Sequence, residues 1–130
     1  NLGFDEPIEC YEDFNLKPGL LRGIYSYGFR KPSIVQQRVT KPVLLHRDII
    51  AQANSGTSKT AAYLISILQL IDTSMYRPQA LIHVPTRELA IGVKIVAERV
   101  GNLLNVVSYA SVGGISMRER LKVLESESMC

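Results

Sequence analysis

Cysteine is nearly missing from this chain: Cys10 and Cys130 stand at opposite ends of 130 residues. That spacing supplies neither a metal knuckle nor a redox pair, and it points to a reducing, intracellular setting. Long apolar runs are missing too. Nothing approaches the ~18 consecutive apolar residues of a membrane span, so no membrane partner is expected. Asn1 to Ile8 carries acids and no apolar core, which argues against a secretory signal there. Lysine and arginine are absent from residues 1–16, where Asp5, Glu6, Glu9, Glu12 and Asp13 stand; all 15 basic residues share the rest of the chain with 7 acids. A basic body suits a polyanionic partner such as nucleic acid. Ordinary solubilising surface charge accounts for it equally well. Aspartate does not occur after Asp72.

What is present is enough for one ordinary domain with a core, since 46% of the residues are hydrophobic. Residues 1–16 are acidic and aperiodic and read as an extended arm. From Lys17-Pro18-Gly19 a helix begins, with Leu20, Leu21 and Ile24 at helical spacing, and Tyr27-Gly28 ends it. A second helix runs from Ser33 to about Leu45, bent or shortened by Pro42. Then the pattern changes. Three short apolar strands are expected at Asp48–Gln52, Ala80–Val84 and Val106–Ala110. Each is followed by a helix, at Lys59–Ile71, Thr86 to about Val100, and Ser116–Leu124. Three strand–helix units in succession predict an α/β fold, a parallel sheet with helices on its faces. Thr73 to Pro78 is the one linker-like stretch. His83 falls within an expected strand and reads as a packed residue rather than a ligand.

The loop after the first strand is Ala53-Asn54-Ser55-Gly56-Thr57-Ser58-Lys59-Thr60. It resembles the phosphate-binding P-loop, G-x-x-x-x-G-K-[ST]. Phosphate binding requires that layout. A tight loop turns backbone N–H groups inward onto the oxygens, and the helix starting near Lys59 adds its positive dipole end. Lys59 would reach the outer phosphates, and the Thr60 hydroxyl would ligate Mg²⁺. Two positions depart from the general pattern: Ala53 replaces its first glycine and Ser58 the glycine before the lysine. A Cβ at Ser58 stands where the backbone must approach phosphate, so weakened affinity is expected there.

With these motifs in register, the chain resembles the first RecA-like domain of the DEAD-box RNA helicases. Ala53 fits that family, which has alanine at the first P-loop position. Gly28-Phe29-Arg30-Lys31-Pro32-Ser33-Ile34-Val35-Gln36 resembles its adenine-reading Q motif, and Tyr11 stands 17 residues before Gly28, where an aromatic belongs. The resemblance implies that Gln36 pairs with the adenine edge, that Tyr11 packs on its face and that Lys31 contributes around the base. An amide offers a donor and an acceptor together, which matches adenine and rejects guanine. Ala53, Ser55, Gly56, Thr57, Ser58, Lys59, Thr60 and Ala61 would surround the phosphates of ATP or ADP with Mg²⁺. Pro85-Thr86-Arg87-Glu88-Leu89-Ala90 resembles motif Ia, and Gly113-Gly114 the family's glycine pair. Both imply contacts to the backbone of single-stranded RNA, so Pro85, Thr86, Arg87, Gly113 and Gly114 are the expected RNA residues. The resemblance runs from about Tyr11 to Leu124. Leu20 to Tyr25, Gln36-Gln37-Arg38 and Pro78 to Leu81 look especially like the initiation factor four-A subgroup. Partners in translation initiation or other RNA processing, and a cytoplasmic or nuclear setting, are implied with it. His46 stands where the family has glycine before Arg47-Asp48, and Gly92 where it has glutamine.

The resemblance also shows what is not here. The family's Mg²⁺-holding acid and water-orienting group belong to the motif that names it, after the next strand. The acids beyond Asp72 are Glu88, Glu98, Glu119, Glu125 and Glu127, and none follows an expected strand. Residues 17–130 are thus expected to form a partial first RecA-like domain, its three-layer fold incomplete at the C-terminus. It would lack the naming motif, the second RecA-like domain and any catalytic residue of its own. Two other readings compete. One is a non-catalytic interaction module derived from a helicase, with its nucleotide site damaged at Ser58. The other is an unrelated P-loop kinase or GTPase. Adenine selectivity excludes the last, and nucleotide binding separates the first two.

Overall fold

The structure, a computed structural model, describes residues 7–56, 58–114 and 116–128, with side chains left out at a few positions near the C-terminal end. It consists of a 3-10 turn, Tyr11–Phe14, and five helices: α1 (Pro18–Tyr27), α2 (Ile34–Leu44), α3 (Lys59–Leu70), α4 (Arg87–Val100) and α5 (Met117–Ser128). Their ends follow from local chemistry. Pro18 opens α1 with its φ already helical, and Gly28 closes it in the left-handed region at φ 113. Ser33 and Gln36 form a reciprocal capping box on α2. Thr86 Oγ1 accepts from Leu89 N at 3.2 Å to cap α4. Ser116 and Glu119 exchange the same kind of bonds at α5, 3.3 and 3.2 Å long. Pro42 lies inside α2, and the helix ends two residues later.

The third helix is the centre. Ala61, Ala62, Leu64, Ile65, Ser66 and Leu68 are all buried along it. Its widest contact is with α2, and it also meets α1 and α4, which pack on each other. Ala61, Ile65 and Leu68 join Leu20, Ile24, Val100 and Leu104 in one core. The acidic segment enters the same core. Ile8, Tyr11 and Phe14 are buried within it, so the described part of the expected extended arm is folded onto the helices. The acids Glu9, Glu12 and Asp13 alternate with these apolar residues and stay exposed.

All five expected helices are present, but the expected sheet is not formed among the described residues. The segments 48–52, 80–84 and 106–110 carry no ladder, and no backbone hydrogen bond joins them. A parallel strand is held by neighbours on both sides, and neighbours in sequence need not be neighbours in a sheet. Their apolar side chains accordingly meet water: Ile50, Leu81 and Val107 are 105%, 94% and 68% exposed. His83, expected to be packed, is exposed. A period of two survives at 81–84, where Leu81 and His83 face outward while Ile82 and Val84 are half-buried. No helix among the described residues is long and apolar enough to cross a membrane.

Two helix glycines make opposite demands. A Cβ on Gly23 would lie 1.8 Å from the Val100 carbonyl oxygen, so α1 reaches α4 only because nothing stands there. Around Gly92, on α4, a Cβ would meet nothing within 4 Å. Gly23→Ala should therefore cost about 1–3 kcal/mol by forcing the helices apart, and Gly92→Ala should stabilise by about 1 kcal/mol through helix propensity. Thermal unfolding of the two variants should move in opposite directions; a Gly23→Ala variant melting with the parent would mean that the helices do not approach this closely.

Candidate functional site

The loop 53–58 leads directly into α3. Gly56 has φ 80 with open space around it, and Ser58 has φ 59, a left-handed residue heading the helix without a side-chain cap bond. Lys59 Nζ donates to the Ala53 carbonyl at 2.6 Å, drawing the two ends of the loop together. Asn54, Ser55 and Gly56 are exposed, Ala53, Ser58 and Thr60 are half-buried, and Ala61 is buried as the first core residue of α3. The first-turn N–H groups of a helix have no intrahelical acceptor, so this helix start favours an anion. Thr57 lies outside the described residues.

Gln36 is buried, 1% exposed, and is therefore not the surface glutamine of an ordinary helix cap. Its Oε1 accepts from Ser33 N at 3.0 Å and from Tyr11 Oη at 2.7 Å, while its Nε2 is buried with no partner. A buried, unpaired amide N–H is costly, about 1–3 kcal/mol. Tyr11 is fully buried, so neither face of its ring is open to solvent; only its hydroxyl reaches Gln36. Burial pushes the phenol up to about 12. The Tyr25 ring stands edge-on to Tyr11, centroids 5.8 Å apart at 85°. The Tyr25 hydroxyl donates to both carboxylate oxygens of Glu12, at 2.9 and 2.7 Å. Lys31 is exposed, and its carbonyl lies 3.3 Å from Tyr11 Oη.

The expected RNA residues lie on the surface. Pro85, Thr86, Arg87, Gly113 and Gly114 are exposed. They are also brought together, since a Cβ on Gly114 would lie 3.8 Å from Arg87 Nη1, and Gly114 has φ 91. This places a guanidinium, a helix start and an unhindered glycine backbone side by side, a donor set suited to a phosphodiester. No group of three or more His, Cys, Asp or Glu able to hold a metal occurs among the described residues. The Thr60 side chain stands half-buried in the first turn of α3. A cleft of about 750 Å³ between α2 and residues 49–54 is lined by Ile34, Val39, Ile49 and Ile50 among others. Ser33, Ala53 and Asn54 also line it, so the cleft reaches the start of the loop, while Gln36 and Lys59 do not border it.

Sequence reasoning missed two features. One is the Tyr11–Gln36 bond, which needs the arm folded back over 25 residues. The other is Lys17, whose ammonium donates to the Leu68 and Ile71 carbonyls while its backbone N–H donates to Gln69 Oε1, pinning the far end of α3. No local signal marks either partner.

Comparison with known proteins gives a consistent result. The family described as DEAD/DEAH box helicase matches residues 33–130. A protein from Schizosaccharomyces pombe, "ATP-dependent RNA helicase eIF4A", is 51% identical over 95% of this chain. The match spans 31% of that protein's length. Among solved structures, Prp28 from Chaetomium thermophilum bound to ADP superposes with TM-score 0.77 at 31% identity, covering 91% of this chain and 30% of Prp28. The S. cerevisiae Dbp5 bound to RNA and ADP BeF3 gives TM-score 0.68 at 40% identity, covering 72% of this chain and 25% of Dbp5.

Two predictions follow from the geometry. Ser58 holds a left-handed backbone that costs an L-residue roughly 1–2 kcal/mol. Ser58→Gly should raise the unfolding temperature and tighten ADP binding; an unchanged or weaker ADP affinity by calorimetry would count against it. The hydrogen bonds from Tyr25 hold the Glu12 carboxyl below its ordinary 4.5. The stabilisation is present above the unfolded-state value and disappears as pH falls through the lower folded value. Tyr25→Phe should return Glu12 toward 4.5, which a carboxyl NMR titration reads directly.

Proposed function

Because the chain belongs to the DEAD/DEAH box helicase family, we propose that it forms the ATP- and ADP-binding part of an RNA helicase of the initiation factor four-A type, with one wall of an RNA cleft. The observation that carries this reading is the unpaired buried Nε2 of Gln36 in the same chain as an anion-accepting loop at α3. Gln36 reads the adenine edge. The backbone of Ala53 to Ser58 and the start of α3 hold the phosphates, and Lys59 exchanges the Ala53 carbonyl for a phosphate oxygen. Thr60 would supply one oxygen ligand to a Mg²⁺ ion, whose charge would neutralise the phosphates. Lys31 lies at the base side, and Tyr11 acts there through its hydroxyl.

Arg87, Thr86 and the Gly113-Gly114 backbone face the RNA phosphates, with Pro85 fixing the entry to α4. Contacts of this kind position a strand without reading its sequence. The segments 48–52, 80–84 and 106–110, unpaired here, would become strands of the family's parallel sheet in a longer chain, each preceding a helix or loop that carries a motif. The chain spans about a third of the length of the eIF4A relatives it matches, and none of its acids beyond Asp72 follows a strand-like segment. ATP hydrolysis and strand separation are therefore proposed for a longer protein that contains this domain, acting in translation initiation or related RNA processing, in the cytoplasm.

A thermal-shift titration tests the reading. ADP with Mg²⁺ at ~100 times its Kd should add about 2.7 kcal/mol, several degrees for a domain of this size, and GDP should add less. No shift with millimolar ADP would overturn it in favour of an interaction module. A preference for GDP would exclude the adenine-reading role of Gln36.

A further inference from the structure

Beside the base-reading glutamine, one proton has two acceptors within reach. Tyr11 Oη lies 2.7 Å from Gln36 Oε1 and 3.3 Å from the Lys31 carbonyl oxygen. The orientation of the carboxamide is settled by Ser33, because a backbone N–H 3.0 Å away can meet only the oxygen. Tyr11 must then be the donor to that oxygen. Its phenol is raised to about 12, so it keeps its proton at any physiological pH. A carbonyl oxygen has two lone pairs, and here Ser33 N–H and Tyr11 O–H occupy both. Nε2 carries two N–H groups with no partner. In this state Gln36 offers donors and no acceptor.

That state does not select adenine. Adenine presents an amino donor beside a ring-nitrogen acceptor, and guanine presents a carbonyl acceptor in place of the amino group. A donor-only amide satisfies the ring nitrogen of either purine, leaves the adenine amino group unmet and suits the guanine carbonyl. Resting on the nucleotide-binding reading above, we propose that the Tyr11 hydroxyl is a positioning and specificity-determining group that competes with the adenine amino group for Gln36 Oε1. Adenine is admitted when the hydroxyl turns its proton to the Lys31 carbonyl. One hydrogen bond is exchanged for another and no covalent bond changes. Rotation about the Tyr11 C–O bond accomplishes the exchange, while Tyr25, edge-on to the ring, keeps the ring in place.

The test is calorimetric titration of this chain and its Tyr11→Phe variant with ADP–Mg²⁺ and GDP–Mg²⁺. Phenylalanine keeps the buried ring and removes only the competing proton. ADP should bind about three- to tenfold more tightly to the variant, the range of one ordinary hydrogen bond. GDP should gain nothing, so the ratio of the two affinities should rise by the same factor. A purely structural role for the hydroxyl would weaken both nucleotides together. An unchanged ratio, or weaker ADP binding by the variant, would overturn the proposal while leaving the adenine site standing. Absence of ADP and GDP binding in both proteins would overturn the nucleotide-binding reading itself, and this proposal with it.

Discussion

The docking of α3 is the constraint on which the rest of the molecule depends. Its six buried side chains form the middle of the core, and both ends are tied by lysines. Lys59 closes the phosphate loop on the Ala53 carbonyl, and Lys17 satisfies the carbonyls at the C-terminal end. A cation at that end opposes the negative pole of the helix and fills orphan acceptors. Because Lys17 is also the N-cap residue of α1, the acidic arm, the first helix and the loop are linked through α3. The loop can present its backbone to an anion only while that element is held.

Backbone conformation explains the two places where this chain departs from its family's glycines near the site. His46 has φ 57 and Ser58 has φ 59, both in the left-handed region. Among the described residues, the other positive-φ residues besides glycine are Asn15 and Asn105, and asparagine tolerates that region through local hydrogen bonds. His46 and Ser58, which stand where the resemblance implies glycine, both adopt a conformation that glycine takes without a Cβ penalty. At both positions the left-handed backbone carries a cost in strain. Gly92, the departure in the other sense, has open space where a Cβ would stand.

Helices were readable because their signals are local. Ser33 with Gln36, Thr86 with Leu89, Pro18 with Gly28 each act within one or two turns, and the structure places a helix at every expected position. The sheet was read from three apolar runs of the right length, and those runs do not pair among the described residues. A short apolar run records that a segment seeks burial and carries no information about its neighbour. The same limit applied to the arm. Its acidic, aperiodic sequence read as an extended arm, whereas Ile8, Tyr11 and Phe14 carry it into the core.

The sequence by itself determined where the helices lie, and it supplies the reading of a phosphate loop at the head of α3 and of residues suited to a nucleotide and to a phosphodiester. These depend on residue type at fixed short spacing, which a linear reading sees. The tertiary structure decided which of those residues meet. It buried Gln36 and turned its oxygen toward Tyr11, leaving its nitrogen unpaired, and it set Gly114 beside Arg87. Hydrogen-bond direction and desolvation depend on groups brought together from 25 or more residues apart, and no spacing in the chain encodes them.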